Sequence, residues 1–210
     1  GSVGRPVDGV ELRIVDDEGA PVDAGEVGEV TLKLGAGQRR YWNDPEATAR
    51  TWRDGWVQTG DLGYVDEDGY LYLVDRKKDL IIRGGYNVFS IEVEHAVGEH
   101  PDVAEVAVLG VPHPVLGQDV CAIVRLRDGA APLSLEVLRA FVSDRLADYK
   151  QPRRLVLRTA PLPRSGMHKI DKRALATSLE DQSLEDQSLE DGALEDGALE
   201  DQSLQDGPIP

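Results

Sequence analysis

The sequence predicts an α+β fold: a small β subdomain, then a compact α+β domain, then a disordered acidic repeat tail. Three observations point there. Residues 1–74 read as short alternating strands separated by turn residues, whereas from Asp79 onward apolar strands alternate with capped amphipathic helices. From Ser178 a pentad of mostly Ser/Ala-Leu-Glu-Asp-Gln/Gly repeats through Gly207.

In chain order, Val10 to Val15 alternates inward and outward, and Asp16-Asp17-Glu18-Gly19 supplies a turn. Glu26 to Leu34 is a second strand. Asp44-Pro45-Glu46 opens a helix that runs to about Trp52: Asp44 is suited to the N-cap, Pro45 to the first helical position, and Glu46 to the positive end of the dipole. Asp54-Gly55 turns into the strand Trp56 to Thr59. A hairpin follows, from Gly63-Tyr64-Val65 through Asp66-Glu67-Asp68-Gly69 to Tyr70–Val74.

In the second part, Ser90 is expected to cap a helix to about Glu99, with Glu92 and Glu94 in its first turn. His100-Pro101 ends it. Val103–Val111 and Asp119–Leu126 are apolar strands. Ser134 caps a helix from Leu135 to about Ala147, whose Leu135, Leu138, Phe141, Val142 and Leu146 share one face. Pro152 blocks continuation, and Arg154–Arg158 is the last strand.

The tail carries leucines at 179, 184, 189, 194, 199 and 204. A period of five advances the helical wheel by about 140° per leucine, so no apolar stripe forms. A parallel β-helix of pentapeptides wants a small residue two before each leucine, where Gln or Gly often stands. One apolar side chain per two acids cannot offset the ordering entropy, and 177–210 is expected to be disordered.

Charge excludes some functions. The chain has 23 Lys and Arg against 39 Asp and Glu, a net charge of -16. Eleven of those acids lie in 177–210, which has no Lys or Arg; the body keeps 28 acids against 23 bases, a net of -5. A body so near neutrality offers no footprint for nucleic acid or an anionic membrane. Cys121 is the single cysteine, so no disulfide forms within the chain, and its apolar surroundings suit a buried structural thiol. No apolar run approaches the ~18 residues of a membrane span. A cytoplasmic location is the expectation.

Three blocks carry chemistry: Thr59-Gly60-Asp61-Leu62, Asp75-Arg76-Lys77-Lys78-Asp79, and Pro163-Arg164-Ser165-Gly166-Met167-His168-Lys169-Ile170-Asp171-Lys172. A lone Thr-Gly-Asp reads as a turn aspartate at a strand end. Lys77, Lys78 and Asp79 read equally as solvated charges, and for Lys77 that reading is preferred. Lys172 and Arg173 lie close enough to Lys169 that residue chemistry alone does not choose among them.

Together, in this order and spacing, the blocks resemble the tail half of the AMP-forming adenylating enzymes, the superfamily of acyl-CoA synthetases, peptide-synthetase adenylation domains and beetle luciferases. The resemblance covers roughly residues 1–176, including Gly1-Ser2-Val3-Gly4-Arg5-Pro6. It implies that 1–74 is the β-rich end of a large AMP-binding N-terminal domain, 75–78 a hinge, 79–176 the α+β C-terminal domain, and 177–210 an appended tail. It further implies Asp61 as the ribose-binding carboxylate, Arg76 as a nucleotide contact, and Lys78 as the hinge about which the C-terminal domain rotates between half-reactions. Gly84-Gly85-Tyr86 would be the loop that lines the path of a pantetheine thiol.

Lys169 would be the catalytic lysine that stabilises charge at the α-phosphate. The common pattern has Thr-Gly before that lysine, where Met167-His168 stands here. The activity implied is acid plus ATP to acyl-AMP, then a thioester with CoA; ATP or AMP and CoA are substrates, Mg2+ accompanies ATP, and no resident metal is expected. The phosphate-cradling loop and the acyl pocket of the family have no counterpart in these residues, so the chain is expected to be inactive alone. A freestanding adenylation domain loading a separate carrier protein, and a truncated remnant or binding module, are the alternatives.

Overall fold

The computed structural model describes residues 1–35, 39–166 and 168–181. It divides into two compact units, 1–160 and 161–210. The first unit holds two five-stranded sheets joined through a 3-10 turn at Lys77–Asp79.

The first sheet is antiparallel throughout. Strands β1 (Val10–Val15) and β2 (Gly28–Leu34) pair along their length, and β2 pairs with β4 (Trp56–Val65). On its other edge β4 meets the short β3 (Trp52–Arg53) and then β5 (Leu71–Arg76). Asp66 closes the β4–β5 turn, its Oδ1 accepting from Asp68 N at 3.1 Å and Tyr70 N at 2.8 Å, as an Asx turn should. Helix α1 (Pro45–Thr51) starts where its signals place it: Ala47 N donates to Asp44 Oδ1 at 2.8 Å, with proline in the first turn.

β4 is much longer than Trp56–Thr59, and this corrects the expected placement of Asp61. The strand runs on through the Thr-Gly-Asp block, so Asp61 lies inside a strand and not at its end. Gly60 makes this feasible by taking φ +70°, and the pairing register shifts on both neighbours of β4 around this point. The second strand starts at Gly28, two residues later than Glu26.

The second sheet is built around β9 (Gly117–Leu126). β8 (Val103–His113) flanks it antiparallel, β10 (Arg154–Arg158) flanks it parallel, and β6 (Ile81–Arg83) reaches its first residue. A parallel neighbour requires a crossover, and helix α3 (Leu135–Val142) lies within that connection. Ser134 caps α3 through Val137 N at 3.2 Å. The helix stops at Val142, short of Ala147, and the chain continues through turns that still bury Leu146. Val120 to Val124 are all fully buried, which is why β9 reads as one apolar run. Helix α2 (Ser90–Gly98) packs on β8 and contributes Val93, Ala96 and Val97 to a core shared with Val108, Ala122, Leu138 and Val142.

The expected Ser90 cap is also corrected. Ser90 is the first residue of α2; Phe89 occupies the cap position and makes no side-chain cap bond. The Ser90 hydroxyl turns instead to Asp75, a residue of β5.

In the second unit, Asp171 Oδ1 accepts from Arg173 N and Ala174 N, both at 3.1 Å, and opens a helix, α4, over 172–181. Leu175 and Leu179, one turn apart, are buried. Residues 177–181 are therefore helical, not disordered, because the first tail leucine falls in register with Leu175. The rest of the expected disordered segment, 182–210, lies outside the described residues.

Candidate functional site

The site begins with two strands that bring two distant motifs side by side. Asp61 on β4 and Arg76 on β5 are register partners, and Arg76 Nε lies 2.9 Å from Asp61 Oδ1. Both side chains are partly exposed, 30% for Asp61 and 49% for Arg76, so this is a surface pair open to a ligand. A carboxylate offers about four lone-pair positions, and one guanidinium N–H leaves the rest for further donors. The kinked strand is held from below: Thr59 Oγ1 donates to Val30 O at 2.7 Å, and Gly60 N donates to Glu29 Oε1 at 3.2 Å.

Lys77 departs from the solvated charge expected of it. Its Nζ lies 2.9 Å from Asp17 Oδ1 and 3.1 Å from Glu29 Oε2, so the same Glu29 that braces Gly60 also receives Lys77. The hydrogen bond to Asp17 raises its pKa above the usual lysine value, partly opposed by burial and helped by Glu29. Lys78, next in line, has a side chain 73% exposed and a long 3.8 Å contact to Asp79. The side chains therefore pass from paired to largely exposed between Lys77 and Lys78.

Gly84 and Gly85 form the two-residue turn of a hairpin between β6 and β7 (Tyr86–Val88). Both have positive φ, +57° and +85°, the signature of the turn that matches strand twist and that L-residues enter with difficulty. Gly84 N donates to Leu116 O at 2.8 Å, and a Cβ at Gly84 would sit 3.1 Å from Leu116 Cδ2. Tyr86, 61% exposed, packs its ring 4.9 Å from that of Tyr149. Next to Tyr149, Lys150 Nζ holds both Glu92 oxygens at 2.8 and 2.7 Å, tying this corner to the first turn of α2.

Lys169 belongs to the second unit. It ends a tight loop in which Ser165 N donates to Lys169 O at 2.8 Å and Arg164 pairs with Ile170. Its side chain is exposed. His168 has φ +61°, a left-handed conformation. The Thr-Gly pattern implied by the resemblance puts glycine, which enters this region without penalty, at that place; here Arg164 Nη1 donates to His168 O at 2.8 Å. Met167 lies outside the described residues.

The structure thus pairs Asp61 with Arg76, sets Lys78 two residues along, and presents Gly84-Gly85-Tyr86 on a hairpin tip. Sequence reasoning assigned no contact to Asp75, Glu29 or Tyr149, and it undervalued Lys77. Asp75 was legible as the acid preceding Arg76; Glu29 sits in a strand with no distinguishing neighbour.

Comparison with known proteins follows the same outline. Residues 92–169 match the family described as AMP-binding enzyme C-terminal domain. The chain is 47% identical over 175 residues to a 2-succinylbenzoate–CoA ligase of Geobacillus kaustophilus, covering 83% of this chain and 35% of that protein. Among solved structures it resembles the amide bond synthetase McbA of Marinactinospora thermotolerans, at 46% identity and TM-score 0.74, over 85% of this chain and 36% of the other. It also resembles the o-succinylbenzoate CoA synthetase of Bacillus subtilis in complex with its acyl-adenylate intermediate, at 36% identity and TM-score 0.73, over 81% and 34%. The chain spans about a third of the length of the relatives it matches.

Proposed function

We propose, from a chain that carries the C-terminal portion of the adenylate-forming superfamily, that it supplies the ribose contact, the hinge and the catalytic lysine of an acyl-CoA synthetase. In this reading a carboxylate attacks the α-phosphate of ATP, forming acyl-AMP and releasing pyrophosphate. The thiol of CoA then attacks the acyl carbonyl and AMP leaves.

The observation that carries the reading is the Asp61–Arg76 pair at 2.9 Å. A ribose presents two neighbouring hydroxyl donors, and a carboxylate already oriented by a guanidinium accepts them without reorganising. Lys169, on an exposed loop, is the cation that would meet charge building on the phosphate. Gly84 and Gly85 present backbone without side chains, as close passage of a pantetheine arm requires. Mg2+ in this reading travels with ATP. Among the described residues no helix is long and apolar enough to cross a membrane.

The test replaces the matching third of the Geobacillus ligase with residues 1–176 of this chain. Acid-dependent exchange of pyrophosphate into ATP is the expected result, with Lys169→Ala lowering it on the order of 10²–10³-fold and sparing thioester formation from supplied acyl-adenylate. A chimera that folds and binds AMP but shows no exchange overturns the reading, as does a Lys169→Ala variant that slows both half-reactions alike. The likeness to an amide bond synthetase favours a second reading, in which the acceptor is an amine. Offering the same chimera CoA, a carrier protein and simple amines decides the acceptor.

A further inference from the structure

Three consecutive residues leading into the 3-10 turn, Asp75, Arg76 and Lys77, are each fastened, and they are fastened to different things. Arg76 pairs with Asp61 on its own sheet, and Lys77 pairs with Glu29 and Asp17 on its own sheet. Asp75 crosses. Its carboxylate Oδ2 accepts from Ser90 Oγ at 2.9 Å and from Ile91 N at 3.3 Å, and Oδ1 lies 3.2 Å from the same hydroxyl and accepts from Arg76 N at 2.7 Å. Asp75 is 4% exposed and Ser90 is fully buried.

The location gives this contact its consequence. Asp75 is the penultimate residue of β5 in the first sheet; Ser90 and Ile91 begin α2, whose Val93, Ala96 and Val97 are part of the second sheet's core. The carboxylate fills the place of the missing side-chain cap of α2, answering the Ile91 amide and the positive dipole end from another subdomain. Between the two ends of the contact run Lys78 and the hairpin β6–β7. Among the described residues, the second subdomain is thus tied to the first by the chain at Lys78 and by hydrogen bonds at Asp75.

We propose that Asp75 is a latch: a positioning residue that holds α2, and the second sheet with it, in one orientation about Lys78 until its bonds to Ser90 and Ile91 are released. This rests on the reading of Lys78 as a hinge. The latch is reversible because its partners are a hydroxyl and one backbone amide, which water replaces when the contact opens. It is also specific, since a buried carboxylate stripped of these donors is strongly disfavoured and intermediate tilts leave it unsatisfied. Lys77 keeps the near side of the hinge fixed to the first sheet, so release at Asp75 is converted into motion beyond Lys78.

The test is a distance measurement on the 210-residue chain, with Cys121→Ala removing the native thiol. Spin labels go on Glu18→Cys in the turn after β1 and Asp128→Cys in the turn after β9, both exposed positions. The unmodified latch is expected to give one narrow distance band. Asp75→Ala and Ser90→Ala should each at least double its width or add a second band, while amide exchange in β2–β4 and β8–β9 stays as slow as before. Should Asp75→Ala lose that protection, Ser90→Ala, which removes one oxygen, decides alone. Unchanged narrow bands in a folded Ser90→Ala chain overturn the latch. The measurement uses no nucleotide, so its failure leaves the adenylation reading standing, and an inactive chimera leaves the latch standing.

Discussion

At the residue scale, neighbours in sequence have unlike environments. Cys121 is fully buried in β9, and burial pushes its thiol up to about 11. A raised thiol pKa means the folded state resists ionisation, so the associated stability is present below the ordinary thiol value and is lost as pH climbs toward 11. At pH 8 we expect an aromatic disulfide reagent to label the native protein at least about 10²-fold more slowly than the unfolded chain, where the thiolate is accessible. Fast native labelling would contradict the buried assignment. Lys77 titrates in the same sense: its raised pKa adds stability that is fully present at neutral pH and fades above the ordinary lysine value. Its side chain is 39% exposed, so Lys77→Met should cost no more than about 1 kcal/mol in urea unfolding at pH 7. That difference should shrink as the pH passes 10.5.

At the scale of elements, the glycines of the site separate into two kinds. Gly63, just after the Thr-Gly-Asp block, is where β4 and β5 approach closely: a Cβ there would lie 2.5 Å from Tyr72 O, a backbone atom that cannot step aside. Gly63→Ala should therefore destabilise by more than about 3 kcal/mol, in the tail of single substitutions, as read from the urea midpoint. Gly85 has open space around it and is constrained through its φ of +85° alone, so Gly85→Ala should cost about 1 kcal/mol. If the two substitutions cost the same, the close strand approach at Gly63 is wrong. Gly63 was legible in the sequence only as a strand residue, and its close approach to β5 needs the neighbouring strand.

At the scale of the whole chain, the boundary between body and tail is a matter of one leucine. Composition gives residues 182–210 no apolar excess to bury, so deleting them should leave the melting temperature unchanged. Deleting 177–210 instead also removes the buried Leu179 from α4, and should lower it by several degrees, since burying a leucine contributes on the order of 1.5–3 kcal/mol. Equal melting temperatures for the two truncations would show that Leu179 contributes nothing. The 210-residue chain by itself should show no acid-dependent exchange of pyrophosphate into ATP, because none of its sequence supplies a triphosphate cradle.

The sequence by itself determined the class of fold, most element positions and the three motif blocks. These are local signals: periodicity of 2 or 3.6, capping residues at Asp44 and Ser134, and turn residues at Asp66–Gly69 are all written within one or two turns of chain. Tertiary structure alone decided what the motif residues touch. That Asp61 faces Arg76, that Lys77 reaches Glu29, and that Asp75 rather than Ser90 answers the N-terminus of α2 depend on strand register and on the packing of α2 beside β5. Such contacts join residues 15 to 48 positions apart. They follow from which surfaces bury together, and no periodicity within a single segment records that.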